Sequence, residues 1–419
     1  MSSKTTLLAG LFGNALEWYD FILYANFAAI IANLFFPTKD PMTSLLLAFA
    51  VFATGFLVRP LGATLFGYIG DHRGRKAALI TSMIVITIPT LLIGFLPTYA
   101  SIGLAAPILL TLLRLLQGLA VSGELNTATT FLVEHAPDNR RGFAGSLVMS
   151  TAFLGILTGA ITTTLVSALL TAQALHDWGW RIPFYLGGVI GVIGLFLRLR
   201  TKESPRFVQE KKYMSFKRIF SNYRKELLLT ILLTSIMGVG NYIFIAYAVT
   251  FLDKIQGFSL REANTINLIS ILLLVLLMPI MGILSDHFGR KPLFKIGLFG
   301  FIVFSFPAFW LLSQKQFGYA LAGDLLLGII LAPIAALIPI LLAELFPTAV
   351  RNTGTALGYN ICLAIFGGTT PLLALELVQR TGSNLAPAGY LILCAVLSLT
   401  ALKFIEESYH KPLREIVDF

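Results

Sequence analysis

Charge is scarce in this sequence. Only 12% of its 419 residues are charged, whereas 56% are hydrophobic. Soluble domains carry about 25% charged and about 45–50% apolar residues, and a single soluble core stops growing at about 250–300 residues. Because so few charges cannot cover a soluble surface of this size, the composition argues against a water-soluble enzyme. It indicates a protein that crosses the membrane many times.

Cysteine and the common cofactor motifs are also nearly absent. The two cysteines, Cys362 and Cys394, lie in apolar runs without a CxxC or His/Cys cluster, so we expect small hydrophobic residues rather than a disulfide or a metal site. No GxxxxGK[ST] phosphate loop occurs, which argues against direct use of ATP, and no nucleophile–base constellation points to an enzyme. We therefore expect no cofactor. The absence of N-x-[ST] sequons agrees with a bacterial inner membrane.

Long apolar runs, in contrast, fill most of the chain. A membrane-spanning helix needs about 20 mostly apolar residues. Twelve such runs lie at about 6–35, 44–70, 77–96, 102–133, 143–170, 183–200, 227–252, 263–285, 292–312, 317–343, 353–380 and 385–405. They are continuous rather than alternating, so we predict an all-α protein with twelve transmembrane helices and no strands.

The polar segments between these runs predict the domains and their orientation. The only large polar connection lies at about 201–226. It predicts an N-terminal six-helix bundle at 1–200, a cytoplasmic linker at 201–226, and a C-terminal six-helix bundle with a short cytoplasmic tail at 227–419. Most of the 31 Lys and Arg residues fall in loops on the same predicted side as the N-terminus, so the positive-inside rule places both termini in the cytoplasm.

Two motifs occur twice along the chain. The segment GYIGDHRGRK at 67–76 returns as GILSDHFGRK at 282–291, and both fit the pattern GxxxDHxGRK. The segment EHAPDNRR at 134–141 returns as ELFPTAVR at 344–351 at nearly the same offset. Two motifs repeated in register predict a tandem of two pseudo-symmetric six-span halves, with a substrate pathway between them.

The duplicated GxxxDxxGRK loops resemble the signature of the major facilitator superfamily. Further segments resemble its metabolite:proton symporter branch, which includes proline/betaine, α-ketoglutarate, shikimate and citrate permeases. These segments are Glu17-Trp-Tyr-Asp20-Phe, Arg59-Pro-Leu-Gly, Arg114-Leu-Leu-Gln-Gly118, Trp180-Arg181-Ile-Pro-Phe184, Glu203-Ser-Pro205, and Tyr359-Asn360 followed by Phe366-Gly-Gly-Thr-Thr-Pro371. The fourth run departs from the branch at Ser122-Gly123-Glu124-Leu125, where Gly-Gly-Glu and an aromatic residue are usual. The resemblance implies a two-bundle fold that works by alternating access.

Few charged residues remain inside the predicted spans, where each costs about 2.5–3.5 kcal/mol on insertion scales. Glu17, Asp20 and Tyr24 share one face of the first span, with the two acids roughly 15–20 Å deep. Arg114 and Gln117 share a face of the fourth span at similar depth. The resemblance implies that both spans border the central cavity. We predict that Asp20 is the main proton-coupling residue and that Arg114 binds the anionic group of the substrate or neutralises Asp20. A permanent salt bridge that sets helix register is the alternative.

Other polar residues in or near the predicted spans are weaker candidates for proton coupling or substrate binding. Glu17 and Glu124 are further proton-coupling candidates. The further substrate-binding candidates are Tyr24, Gln117, Asn241, Tyr242, Tyr359, Asn360 and Arg181. For these residues interhelical hydrogen bonding, aromatic packing or, for Arg181, interfacial anchoring are alternatives. Asp324 and Glu376 lie near the outer ends of their runs, and we expect both to be solvated.

The duplicated loops predict a cytoplasmic gate. Their glycines permit close helix approach, their aspartates can accept hydrogen bonds from the N-terminus of a neighbouring helix, and their arginines can pair with acids. The gate candidates are Gly67, Asp71, Gly74, Arg75, Glu134, Arg141, Asp286, Gly289, Arg290, Glu344 and Arg351. The alternative for the basic residues is plain positive-inside anchoring.

Together these features favour a secondary active transporter that couples protons to symport of a small polar metabolite, either a carboxylate or a zwitterion such as an amino acid or betaine. An exporter or facilitator of the same fold, and a receptor or sensor that binds without translocating, are the alternatives. We expect protons as the coupling ion, a lipid bilayer as the environment, no nucleic acid partner, and a monomer.

Overall fold

The computed structural model of the chain describes residues 3–203 and 221–413, and every regular element in those ranges is helical. The principal helices are α1 (Ser3–Asn26), α2 (Ala28–Phe35), α3 (Pro41–Leu57), α4 (Arg59–His72), α5 (Arg75–Phe95), α6 (Ala105–His135), α7 (Arg141–Leu169), α8 (Ile182–Leu199), α9 (Arg224–Tyr242), α10 (Leu260–Phe288), α11 (Arg290–Leu312), α12 (Phe317–Leu345), α13 (Arg351–Cys362), α14 (Thr370–Thr381) and α15 (Ala386–Lys403). The all-α prediction agrees with this description.

The structure supports ten or eleven membrane spans by length and composition. Ten helical segments in the described ranges are long and apolar enough to cross a membrane, and α1 with α2, bent by 66°, raises the number to eleven. The predicted run 44–70 does not reach that length, because it divides at Val58 into α3, with 17 residues, and α4, with 14 residues. Pro60 lies in the first turn of α4, where its missing N–H is tolerated. It could not continue α3, because a proline inside a helix lacks the N–H that would bond to the carbonyl four residues back, and its ring clashes with that carbonyl.

The described residues form two compact units. The first unit contains those of Met1–Phe131 and Thr151–Gln209, and the second contains those of Leu132–Ser150 and Glu210–Phe419. The end of α6 and the start of α7 therefore belong to the second unit, although they precede the predicted linker in sequence. Residues 204–220, which form most of that linker, lie outside the described residues.

The core of the first unit is built on aromatic and aliphatic side chains from α1 to α6 and from α8. Trp180 is fully buried, with ring centroids of Phe35 and Phe184 at 5.7 and 5.9 Å in edge-to-face geometry. Aromatic pairs in this arrangement contribute about 0.5–1.5 kcal/mol beyond the area that they bury. Trp178, in contrast, is half exposed, so only one Trp of the Trp-Gly-Trp segment is available to an interfacial belt.

The second unit is organised around α12, which packs against α10 and α11 and is buried along most of its length. Two neighbouring helices contain π turns: Ile243–Tyr247 and Phe251–Ile255 continue α9, and Leu363–Gly367 continues α13. Single π turns inside α-helices often occur at functional sites. Asp324, on α12, is fully buried rather than solvated as expected, whereas the Glu376 side chain is 41% exposed.

Candidate functional site

A polar ring joins α1, α5 and α6 inside the first unit. Arg114 Nη1 lies 3.1 Å from Asp20 Oδ2 and donates to Gln117 Oε1 at 2.8 Å. Gln117 Nε2 donates to the Thr90 hydroxyl at 3.0 Å, and that hydroxyl donates to Asp20 Oδ1 at 2.9 Å. All four side chains are buried. The structure therefore brings together the acid and the base that the sequence singled out, and it adds Thr90 from α5.

The ring satisfies the conditions under which a buried ion pair is tolerated. Two charges removed from water lose several kcal/mol each in solvation, and hydrogen bonds to the remaining lone pairs must offset that loss. Thr90 supplies such a bond to Asp20, and Gln117 supplies one to Arg114. This geometry stabilises both Asp20 and Arg114 in their charged forms. It is compatible with a permanent ion pair that sets the register of the helices, and also with a coupling site in which a substrate anion competes with Asp20 for Arg114.

A small, partly open cavity lies beside this ring, and the space within and in front of it, open solvent included, is about 300 Å³. Its lining consists of Glu17, Asp20, Phe21, Phe52, Gly55, Arg59, Arg114, Gln117, Gly118 and Val121. The guanidinium carbon of Arg114 lies 4.4 Å from the centroid of the Tyr24 ring and 5.5 Å from that of Phe52. The Tyr24 hydroxyl itself donates to Ala48 O at 2.9 Å, so Tyr24 contributes its ring face. The cavity thus combines charges of both signs with aromatic faces.

A second acid and a second base line the same cavity. Glu17 and Arg59 are both buried, and Arg59 is the strongest charged neighbour of Glu17. Among the described residues, Glu17 Oε2 accepts no hydrogen bond. An unsatisfied buried carboxylate oxygen is costly, so it marks a position where a substrate cation or a proton would be stabilised. Arg59 was not among the predicted site residues, although the Arg-Pro pair that starts α4 was a recognisable signal.

Glu124 is paired rather than open to the cavity. Both of its carboxylate oxygens contact the guanidinium of Arg198, the Ser82 hydroxyl donates to it at 2.5 Å, and it is fully buried. Gly13 makes this pair possible, because a Cβ at that position would overlap both charged groups. Sequence reasoning missed Arg198, since it ends the sixth apolar run next to the basic linker and resembles its neighbours there. The pairing favours a structural role for Glu124.

The candidates predicted in the second half are buried but do not line this cavity. Asn241 and Tyr242 lie at the end of α9, next to its first π turn, and Tyr359 and Asn360 lie on α13. Asn360 Nδ2 donates to Ala356 O at 2.8 Å, one turn back in its own helix. Asn241 Oδ1 accepts no hydrogen bond from the described residues, which leaves it available to a ligand.

Arg181 lies in the first unit but does not line the cavity. Its Nη1 donates to Gly94 O at 2.7 Å and to Leu96 O at 2.8 Å, at the C-terminal end of α5. Its guanidinium carbon lies 4.5 Å from the centroid of the Trp180 ring. Two carbonyl partners and a stacked ring favour the anchoring alternative, because a helix C-terminus attracts a cation without any substrate.

The duplicated loops have the same local structure in both units. Asp71 pairs with Arg75 at 3.0 Å, and Asp286 pairs with Arg290 at 2.7 Å. Arg75 also donates to Gly70 O at 2.5 Å and Arg290 to Ser285 O at 2.8 Å, so each arginine folds back over the preceding helix end. Gly67 is buried within α4. The sequence repeat is therefore also a structural repeat.

A further pair of acids completes these loops. Glu203 accepts from the backbone N–H groups of Arg75 and Lys76 at 2.9 to 3.3 Å, and Glu407 accepts from those of Arg290 and Lys291 at 2.9 and 3.0 Å. Each carboxylate thus occupies the N-terminus of a helix, where exposed N–H groups and the helix dipole favour negative charge. Sequence reasoning noted Glu203 only in the family resemblance and missed Glu407, whose signal is the Glu-Ser pair after the last span.

The segment from 132 to 150 is tied into the second unit by the other predicted gate residues. Asp286 accepts hydrogen bonds from the N–H groups of Gly142 and Phe143, both at 2.8 Å, which is the helix-capping arrangement expected for this aspartate. Glu134 pairs with Arg351 at 2.8 Å. Glu344 lies between two arginines, 3.9 Å from Arg141 and 3.5 Å from Arg290. The repeated EHAPDNRR and ELFPTAVR segments therefore meet through crossed ion pairs.

The backbone conformation of the duplicated loops depends on Gly74 and Gly289. Their backbone angles, φ 104°, ψ 156° and φ 97°, ψ 162°, lie in a region that is essentially restricted to glycine. Gly289→Ala should therefore lower the free energy of unfolding by about 1–3 kcal/mol. Gly318→Ala is the matched control, because Gly318 is the second residue of α12 and has open space around it, and this change should be neutral or stabilise by up to about 1 kcal/mol. Thermal unfolding of both purified variants in detergent measures the difference, and equal stability would contradict the loop assignment.

Comparisons with known proteins agree on one group of relatives. The family model for the Major Facilitator Superfamily matches residues 11–371 and 231–416. The chain is 35% identical over 425 residues to the glycine betaine/proline/ectoine/pipecolic acid transporter of Dickeya dadantii (strain 3937), over 98% of this chain and 85% of that protein. It is 34% identical over 426 residues to the proline/betaine transporter of Escherichia coli (strain K12), with the same coverage of both.

Solved structures share the fold at lower sequence identity. A proton:xylose symporter bound to 6-bromo-6-deoxy-D-glucose has a TM-score of 0.80 at 16% identity, over 98% of this chain and 97% of that one. The inward-open xylose transporter from E. coli has a TM-score of 0.66 at 18% identity, over 97% of both chains. At these identities the likeness establishes the helical fold.

Proposed function

Because this chain belongs to the major facilitator superfamily, in the branch of the proline/betaine transporters, we propose that it imports a small zwitterion such as proline or glycine betaine by proton-coupled symport. The observation that carries this proposal is the buried Asp20–Arg114 pair beside a cavity with aromatic walls. The family resemblance that the motifs predicted is confirmed, and the chain is an integral membrane transporter rather than an enzyme. The exporter, facilitator and receptor alternatives have no observation in their favour.

The cavity chemistry complements a zwitterion. A substrate carboxylate would be bound by the Arg114 guanidinium, since a planar fork of donors matches a carboxylate. A substrate ammonium would rest against the faces of Phe21 or Phe52 and near Glu17, because aromatic faces and carboxylates both attract such a cation. The two charges of the ligand would thus be matched at one partly open site that is lined by charged, polar and aromatic side chains.

The proton would be coupled through competition for Arg114. While Arg114 holds Asp20, the carboxylate is stabilised in its charged form; once a substrate carboxylate takes the guanidinium, Asp20 is left buried with weaker compensation. A buried carboxylate without a full counter-charge binds a proton. Substrate and proton would therefore bind together, which is the requirement for symport. Glu17 is the second candidate for the same proton, and Gln117 and Thr90 would hold the neutral acid in place.

Alternating access would be controlled by the duplicated loops. The contacts of the 132–150 segment with Asp286, Glu344 and Arg351 would have to break for this segment to leave the second unit. We further propose twelve spans in two six-span halves joined by the 201–226 linker, both termini in the cytoplasm, residence in a bacterial inner membrane, and a monomer. Asn241, Tyr242, Tyr359 and Asn360 would contribute to the pathway from the second half.

A thermal-shift series with the purified protein tests the substrate class. Glycine betaine and proline should stabilise the protein, and a ligand at 100 times its dissociation constant adds about 2.7 kcal/mol. Choline, which lacks the carboxylate, and 3,3-dimethylbutyrate, which replaces the ammonium by an uncharged isostere, should each produce little shift at the same concentration. Stabilisation by 3,3-dimethylbutyrate equal to that by glycine betaine would indicate a carboxylate carrier. No shift with any zwitterion, together with a shift from citrate, would contradict the proposal.

A further inference from the structure

The second unit contains a further buried acid that has no part in the cavity or the duplicated loops described above. Asp324 is on α12, about 10 Å along the helix from its first residue, and it is fully buried. Asn267 Nδ2, from α10, donates to Asp324 Oδ2 at 3.2 Å. Among the described residues, Asp324 Oδ1 accepts no hydrogen bond. This acid is therefore only partly satisfied as a carboxylate.

No counter-charge compensates Asp324 within the described part of the chain. The groups that act on it are Ser270 and Asn267, and both are uncharged. The basic side chains near this end of the neighbouring helices, Lys254, Arg261 and Lys315, are all exposed. An ionised carboxylate buried without a cation loses far more solvation than a neutral acid, so such a group takes up a proton instead. This contrasts with Asp20, Asp71 and Asp286, each of which has an arginine.

The hydrogen-bonding pattern suits the protonated form. The Ser270 hydroxyl lies beside the carboxyl and already donates to Ile266 O at 3.1 Å, which leaves its oxygen as an acceptor. A proton on the carboxyl would supply the donor that this oxygen lacks and would remove the unsatisfied negative oxygen. The same amide that binds Asp324 also donates to Phe244 O at 2.7 Å, and Phe244 lies in the first π turn of α9.

We infer that Asp324 is a proton-binding site of the second unit, occupied by a proton in this conformation and linked through Asn267 to the π turn of α9. Loss of the proton would leave a bare carboxylate that draws the Asn267 amide away from the Phe244 carbonyl. That carbonyl belongs to the helix that carries Asn241 and Tyr242. Ionisation of Asp324 would therefore disturb the segment where α9 departs from α-helical geometry. The inference does not depend on the role assigned to Asp20.

Infrared absorption of the full-length protein in lipid nanodiscs tests this site directly. At neutral pH the wild type should show the C=O stretch of a protonated carboxyl, and Asp324→Asn should lose the absorbance of one such group. Glu376→Gln is the matched control, since that carboxylate is exposed and paired with Arg380, and it should leave the band unchanged. An identical band in wild type and Asp324→Asn would overturn the inference.

Further measurements cover an Asp324→Asn variant that does not purify, a sodium ion in place of the proton, and the link to α9. If Asp324→Asn does not purify, Asp324→Glu should shift the band to a new frequency, and an unshifted band would overturn the inference. If sodium, but not choline, removes the wild-type band at constant pH, the carboxyl is a sodium ligand rather than a proton site, which also overturns it. In substrate exchange without a pH gradient, the wild type should slow at alkaline pH while Asp324→Asn does not; parallel profiles would overturn the link to α9.

Discussion

Replacing Asp20 by Asn is expected to abolish uphill, pH-driven uptake while leaving substrate exchange partly intact. Asn resembles the protonated acid in shape and charge, so the variant would be held in the form that binds substrate without a further proton. A gradient of one pH unit stores about 1.4 kcal/mol per proton and can drive about a tenfold accumulation. Without coupling, the accumulation ratio should fall to about one. Uptake and counterflow of labelled substrate in proteoliposomes measure the two activities separately.

The matched control is Asp177→Asn, which removes an acid whose side chain is 53% exposed. It should accumulate substrate as the wild type does. If Asp20→Asn still accumulates substrate against its gradient, the proton is carried elsewhere, and Glu17 becomes the leading candidate. If Asp20→Asn loses exchange as completely as uptake, the Asp20–Arg114 pair is a structural bridge, and coupling is not its function.

Replacing Arg198 by Met should destabilise the protein more than any other change considered for the first unit. Breaking a buried ion pair from one side costs about 3–5 kcal/mol, because the remaining charge stays buried without compensation. Here the charge left behind is Glu124, which is fully buried, and within the described part of the chain the Ser82 hydroxyl would still donate to it. Thermal unfolding of the purified variant in detergent measures the loss.

The double variant Glu124→Gln/Arg198→Met separates charge from packing. Because it removes both charges and keeps similar side-chain volumes, it should recover most of the stability lost in Arg198→Met. It should also keep uphill uptake, since the pairing makes Glu124 a structural residue in this account. If the single and double variants were equally destabilised, the loss of stability in Arg198→Met would not come from an uncompensated charge on Glu124. Loss of uphill uptake in a stable double variant would restore Glu124 as a coupling residue.

Features with a strong local signal were predictable from the sequence. The apolar runs indicated the helical membrane class, and the duplicated loops indicated the superfamily. The Asp20–Arg114 contact was also predictable, because two opposite charges at similar depth in a membrane have few other partners that could neutralise them. The capping of α7 by Asp286 followed from the chemistry of an acid next to a helix N-terminus.

Features that depend on which helices pack together were not predictable. Arg198 ends an apolar run next to a basic linker, and only the approach of α1, α5 and α6 shows that it is buried against Glu124. Asp324 was expected to be solvated because it lies near the outer end of its apolar run. In the structure, however, neighbouring helices enclose α12 at this position. The division of the second run at Val58 shows the same limit, since hydropathy continues across a break that Pro60 introduces.

In a symporter the substrate and the proton cross the membrane together, and the movement of the proton can be measured directly. Proteoliposomes containing the purified protein and an internal pH-sensitive dye would receive glycine betaine or proline outside, with no imposed pH gradient and with the membrane potential clamped by valinomycin and potassium. Proton-coupled symport should acidify the lumen from the moment that substrate enters, and this acidification should be absent in Asp20→Asn. Entry of labelled substrate into wild-type vesicles without any acidification would contradict it.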